Sequence, residues 1–198
     1  MMNKIYDDIT IVTVLYNSGK INESFFDNLN SFKRIVVDNG KNAEILDKLK
    51  TYKNIKIISK NKNLGYGSAV NFAFENMSTK FFLVLNPDIN INESSIDTLR
   101  NILNQHSDCG IVAPIIYPNE DFYGAFPERN LKKLTLSNAL KSREFLLNSK
   151  IEGEICVDVA KWALLIKSEQ FKKVGGFNEK LFLFWEEIDL CRRFRSKK

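Results

Sequence analysis

Three places in this 198-residue chain put side chains able to do chemistry where an apolar run ends or a helix begins. Asn86-Pro87-Asp88 follows the apolar run Phe81 to Leu85, so the Asp88 carboxylate is offered at the end of a strand on a proline-stiffened turn. Such a carboxylate can hold Mg²⁺ or Mn²⁺ through one or two protein oxygens while substrate phosphates complete the shell. The tripeptide also makes an ordinary turn, because Asn, Pro and Asp all favour turns. Asp38, within Val36-Val37-Asp38-Asn39-Gly40, can accept a hydrogen bond from the N3–H of a uracil or thymine, since an ionised carboxylate only accepts. It can equally open a tight turn. In the third place two glycines, Gly175 and Gly176, precede an aromatic run and then Glu186, Glu187 and Asp189. Three acids in four positions at a helix start sit where the helix dipole favours the ionised form, and one of them is a candidate general base. Plain capping of the first turn is the competing reading. Phe182, Phe184 and Trp185 suit a core as well as a site.

A fourth stretch, Asn63-Leu64-Gly65-Tyr66-Gly67-Ser68-Ala69-Val70-Asn71, sets glycines and small residues at a helix start, where free N–H groups suit an anion. It lacks the Lys-Ser/Thr of a P-loop and the spacing of a dinucleotide fingerprint, so as a phosphate signal it has little specificity alone.

The elements that must position these groups alternate. Ile9 to Leu15 is a nearly continuous β-branched run, as expected of a strand buried on both faces of a parallel sheet. A helix around Asn22 to Leu29, a strand Arg34 to Val37, a helix near Asn42 to Lys50, a strand Ile55 to Ser59, a helix Gly67 to Met77 and a strand Phe81 to Leu85 follow. Strict alternation predicts an α/β fold with a doubly wound open sheet, in which ligands sit beyond the strand C-termini. Tyr16 and Asn17, Asp38, and Asn86 to Asp88 all fall at such ends and should converge on one crevice. A helix Glu93 to His106, strand candidates Ile111 to Ile116 and Val157 to Ile166, and helices Ser168 to Val174 and Glu186 to Arg195 complete the pattern. The polar stretch Pro118 to Ser149 reads as a substrate-facing excursion.

Length supports one domain over residues 1–198. The net charge of +5 suits an anionic partner, but the basic residues are scattered, which argues against nucleic acid. Cys109, Cys156 and Cys191 lie far apart and suggest neither a zinc site nor a disulfide framework. A polar N-terminus and the lack of a long apolar run predict a cytoplasmic protein, soluble or peripheral at the inner face of the plasma membrane. The only histidine, His106, is remote from the acids and reads as structural.

Taken in order and spacing, Thr13 to Ser18 (TVLYNS), VVDNG, NLGYGSAVNFAF, LNPD and VGGFNEKLFLFWEEIDLCRRF resemble the family 2 glycosyltransferases, most closely the rhamnosyltransferase-like branch that builds bacterial surface polysaccharides. The resemblance covers about residues 9 to 195. It implies a GT-A fold, a Rossmann-like nucleotide-binding half plus acceptor-side elements, and an inverting transfer from a UDP- or dTDP-linked sugar with Mn²⁺ or Mg²⁺. The branch favours dTDP-rhamnose, and the acceptor implied is a surface-polysaccharide or lipid-linked glycan hydroxyl. By the same resemblance Asp38 reads the base, Tyr16 and Asn17 line the nucleoside pocket, Asn63, Gly65 and Asn86 belong to the nucleotide-sugar site, and Asp88 is the metal-binding acid. The family usually reads Glu-Asp where this chain has Glu186-Glu187. Glu187 is therefore the expected base, with Glu186 and Asp189 as alternatives.

Members of the family usually continue well past this helix, so the chain is expected to be either a shortened product or a minimal member, and a non-catalytic nucleotide-sugar-binding module is the alternative function. A sugar-nucleotidyltransferase is less compatible, because TVLYNSGK lacks the Gly-rich, Arg- and Lys-bearing loop that enzyme needs after its first strand.

Overall fold

A computed structural model describes residues 5–17, 24–114, 125–126, 159–160 and 162–196. Its elements are β1 (Tyr6–Leu15), α1 (Ser24–Asp27), β2 (Phe32–Asp38), α2 (Ala43–Leu49), β3 (Ile55–Ser59), α3 (Tyr66–Phe74), β4 (Phe81–Leu85), α4 (Glu93–Gln105), β5 (Ile111–Val112), β6 (Ala125–Phe126), β7 (Val159–Ala160), β8 (Ala163–Lys167), α5 (Ser168–Val174) and α6 (Glu186–Ser196). The six-stranded sheet runs β3-β2-β1-β4-β8-β5, with β6 and β7 paired separately.

The first four strands are parallel, and β8 is antiparallel to both β4 and β5. The expected alternation therefore holds through β4, and the sheet is mixed beyond it. The second half departs in detail. Of the candidate Val157 to Ile166, residues 159–160 pair with β6 and only Ala163 onward joins the main sheet. The helix expected over Asn22 to Leu29 is one turn, and the stretch Pro118 to Ser149 lies outside the described residues apart from 125–126.

Both faces of the sheet are buried, which is why its strands read as unbroken apolar runs. Side chains alternate between two cores with the period of a strand. Ile9, Ile11, Phe81, Leu83 and Leu165 face a layer that includes Phe25, Leu49, Ile96 and Leu103, from the α1, α2 and α4 side. Val12, Phe82, Val84 and Ile166 face Ala69, Val70, Phe171 and Leu190 from α3, α5 and α6. Thus α3 and α6 share one face, and the site is built from that arrangement. At the far edge the buried Arg34 donates to the Phe26 carbonyl and to Asn30 and Asn54 at 2.9 and 3.0 Å, closing the strand starts away from the site. Among the described residues no helix is long and apolar enough to cross a membrane.

Candidate active site

Register brings the strand ends together. Leu15 pairs with Asp38 and Asp38 with Ser59, while Leu85 lies opposite Ala163, so one edge carries the turns after β1, β2 and β4 and the start of β8. Gly40 lets the first two turns meet: a Cβ there would lie 2.7 Å from Asn17 Oδ1 and 3.0 Å from the Tyr16 ring. Asn17, in a left-handed conformation at φ 44, accepts from the Lys41 N–H at 2.9 Å. Tyr16 is left 54% exposed, a ring face open beside Asp38's turn. Asp38 accepts at Oδ1 from Asn42 Nδ2 at 2.7 Å and from the Gly40 N–H at 3.3 Å, and Oδ2 has no partner among the described residues. The turns that carry Tyr16, Asn17 and Asp38 are thus in contact.

Asn63 and Gly65 play a different part from the one their sequence suggested. Buried Asn39 accepts from the Leu64 N–H at 2.7 Å and donates to Asn63 Oδ1 at 2.9 Å and to the Gly65 carbonyl at 3.3 Å. Asn63 Oδ1 also takes the Gly65 N–H at 2.9 Å, and the Tyr66 N–H goes to the Phe182 carbonyl at 3.1 Å. The N–H groups of residues 64 to 66 are thus taken up inside the fold, so an anion cradle at these amides is not what the loop provides. It fastens the start of α3 between the β2 turn and the segment before α6.

The β4 turn is fixed from two sides. The Asn86 N–H donates to the Trp162 carbonyl at 2.9 Å, and the Tyr66 hydroxyl donates to Asn86 Oδ1 at 2.8 Å. Asp88, two residues on, is exposed. Among the described residues no cluster of three His, Cys, Asp or Glu side chains is placed to hold a metal. A lone exposed carboxylate nevertheless fits Mg²⁺ or Mn²⁺ of the kind that draws its other oxygens from phosphates and water.

The acidic helix is set by α3. Gly67 makes room for Phe177, whose Cβ a methyl there would approach to 2.9 Å, and a Cβ on Gly65 would strike the Phe182 carbonyl oxygen at 2.3 Å. Asn71 pairs with Phe177 as a neighbouring strand would, accepting its N–H at 2.8 Å and donating to its carbonyl at 2.9 Å. Gly175 and Gly176, at φ 85 and 70, end α5 in the left-handed turn that glycine allows. Arg193 then locks α6 to that end, donating to the Val174 carbonyl at 2.9 Å and to Asp189 Oδ2 at 2.8 Å.

Glu186 and Glu187 are buried in the first turn of α6, whereas Asp189 is paired with Arg193. Tyr66 joins the turn after β4 to the segment before α6, through Asn86 and the Phe182 carbonyl. Its hydroxyl is held protonated well above the ordinary tyrosine range, by burial first and then by Glu187, Glu186 and Asp88. Phe182, Phe184 and Trp185, equally suited to a core by sequence, are exposed. Asn39, Tyr66 and Asn71 were not singled out from sequence. Their signal was an asparagine directly after a strand-end acid, and a Tyr and an Asn flanking glycine and small residues at a helix start.

The fold is of the GT-A kind. A model of Glycosyl transferase family 2 matches residues 10–169, and the chain belongs to that family. The match stops short of α6. The chain is 29% identical to the Low-salt glycan biosynthesis hexosyltransferase Agl10 of Haloferax volcanii, covering 96% of this chain and 62% of that one. It is 24% identical to the N-acetylglucosaminyl-diphospho-decaprenol L-rhamnosyltransferase of Mycobacterium tuberculosis, over 94% of this chain and 70% of that protein. These relatives support the rhamnosyltransferase-like kind. In three dimensions it is similar to GalNAc-T7 solved with UDP, GalNAc and Mn²⁺, with a TM-score of 0.64 at 15% identity over 94% of this chain and 39% of that one.

Proposed function

We propose that this chain is the donor-binding and catalytic part of a metal-dependent inverting glycosyltransferase, moving a sugar from a UDP- or dTDP-linked donor, dTDP-rhamnose favoured, to a hydroxyl of a polysaccharide or lipid-linked glycan. Residues of about 1–90 hold the nucleotide, and those of about 91–198 serve acceptor and catalysis. The observation that carries the reading is Tyr66, whose hydroxyl donates to Asn86 in the turn that bears Asp88 and whose N–H donates to Phe182 in the segment that leads to Glu186 and Glu187. The exposed ring of Tyr16 beside Asp38, with Oδ2 unpartnered among the described residues, supports a stacked and read pyrimidine. The names of the relatives support a hexosyl or rhamnosyl transfer and an acceptor on a lipid diphosphate, which would keep the protein at the cytoplasmic face of a membrane.

In this reading Glu187 takes the proton of the acceptor hydroxyl as its oxygen attacks the anomeric carbon from the face opposite the diphosphate. The C–O bond to the diphosphate breaks, and the nucleoside diphosphate leaves. Mn²⁺ or Mg²⁺ held on Asp88 would neutralise charge on the leaving group. Tyr66 steadies Asn86 beside it. Asp189 is the poorer base, because its carboxylate already serves Arg193.

Glu187→Gln tests this reading. Transfer, or hydrolysis of the donor sugar onto water, should fall about 10²–10⁴-fold while metal-dependent nucleotide binding stays as in wild type. Undiminished turnover in Glu187→Gln would remove Glu187 from the mechanism, and nucleotide binding without turnover in the wild type would favour a binding module.

A further inference from the structure

The described surface has six large, clearly exposed apolar side chains, and four of them are consecutive: Phe182, Leu183, Phe184 and Trp185, 54 to 69% exposed. They run directly into Glu186 and Glu187. A contiguous patch of this kind on a soluble surface marks an interaction site. The backbone adds a second signal. Phe184 and Trp185 both sit in the left-handed region, at φ 65 and 70, although neither is Gly or Asn. Two adjacent bulky residues in that region persist only where the surroundings impose it, and such places cluster at ligand clamps.

The segment is held at both ends. The Phe182 carbonyl takes the Tyr66 N–H at 3.1 Å, the Trp185 carbonyl takes the Asp189 N–H at 2.9 Å, and the turn before it is closed by Leu181 N–H to the Asn178 carbonyl at 3.0 Å. The rings are thus presented by a braced strap that runs directly into Glu186 and Glu187.

We propose that this strap is the acceptor platform: Phe184 and Trp185 stack against the C–H face of a pyranose ring, and the neighbouring carboxylates accept from its hydroxyls. The inference rests on the transferase reading above and names where its acceptor sits. Residues 179 to 189 carry four acids, Glu179, Glu186, Glu187 and Asp189, against one lysine, Lys180. Carboxylates directly beside the rings complement a polyol, whose hydroxyls are donors. Aromatic faces beside hydrogen-bond acceptors match a ring that is apolar on one side and hydroxylated at its rim.

The chain has two tryptophans, Trp162 and Trp185, so Trp162→Phe makes Trp185 the only indole reporter. In this protein, with UDP and Mn²⁺ present, acrylamide quenching of Trp185 is followed against the methyl glycosides of glucose, N-acetylglucosamine, galactose, mannose and rhamnose. At least one glycoside should shield the indole saturably, and Phe184→Ala should weaken its half-saturation about two- to tenfold. Trp185→Gly and Trp185→Ala, both folded, should bind UDP as before, separating loss of the ring from loss of the fold. Several results overturn the platform: no shielding by any glycoside, shielding only by vesicles of equimolar phosphatidylglycerol and phosphatidylcholine, or shielding that rises with protein concentration alongside a doubled mass in sedimentation. Calorimetric titration of UDP and of dTDP into the same protein, each with Mn²⁺, keeps the two readings apart. Nucleotide binding without glycoside shielding sinks the platform alone, and shielding without nucleotide binding sinks the donor reading alone.

Discussion

Replacing Asn71 by alanine removes the two hydrogen bonds that hold Phe177 to α3, at 2.8 and 2.9 Å, and leaves the N–H and C=O of a residue only 2% exposed without their partners. Each such orphaned group costs about 1–3 kcal/mol. Asn71 itself is half-buried, so water can satisfy part of the loss, and the expected destabilisation is about 2–4 kcal/mol. For a chain of this size that lowers the melting temperature by roughly 4–16 °C. The third bond of Asn71, to the exposed Glu179 at 3.2 Å, contributes little, so Glu179→Ala should change stability by less than about 0.5 kcal/mol. Chemical denaturation gives the magnitude, and hydrogen exchange at the Phe177 amide gives the location. Because the latch is the root of the segment that leads to Glu186 and Glu187, exchange there should quicken ahead of the sheet amides. An Asn71→Ala protein within about 0.5 kcal/mol of wild type, with Phe177 still protected, would refute the claim that α3 positions the acidic helix.

Two further substitutions probe the same junction. Tyr66→Phe keeps the ring against Phe177 and deletes only the hydroxyl that donates to Asn86, so near neutral pH it should cost about 0.5–1.5 kcal/mol. The folded protein raises the Tyr66 pKa above its ordinary value of 10.0, so the neutral phenol stabilises the fold fully below pH 10 and that contribution disappears as pH climbs through the folded value. The stability gap between wild type and Tyr66→Phe should accordingly shrink in alkaline denaturation series, and a gap that widens above pH 10 would contradict the buried placement. Gly65→Ala introduces a Cβ at φ 80, directed at the Phe182 carbonyl oxygen 2.3 Å away, and should destabilise by about 2–4 kcal/mol. An unchanged denaturation midpoint would mean that the strap does not lie over this turn.

The first half was legible because its strands are buried on both faces and so announce themselves as apolar runs, each ending on a polar turn. Ile55 to Ser59, Phe81 to Leu85 and Ser168 to Val174 coincide with the observed elements, and the strand-end rule led to Asp38 and Asp88. The second half was harder to read, because β5, β6 and β7 are two-residue strands, too short to carry a period. The supports of the site were hidden for another reason. Asn39 and Asn71 act through amides aimed at backbone groups 25 and 106 residues away in sequence, and local patterning holds no trace of such pairing. The same non-locality hid the partners of three amides within Asn63 to Asn71, those of Leu64, Gly65 and Tyr66, which are met by Asn39, Asn63 and Phe182. The aromatic run defeated composition altogether, since hydrophobic side chains beside a catalytic-type helix look the same whether they face a core or a ligand. Only their exposure and the left-handed backbone at Phe184 and Trp185 separate the two.

The central claim is that Asp88 holds a metal for a nucleoside diphosphate, and calorimetry tests it most directly. UDP and dTDP are titrated, each with and without Mn²⁺, into wild type and Asp88→Ala, whose exposed position leaves the fold intact. The account predicts Mn²⁺-dependent binding of one or both nucleotides by wild type and its loss in the variant. Equal Mn²⁺-dependent binding by folded Asp88→Ala, or none by folded wild type, would contradict it.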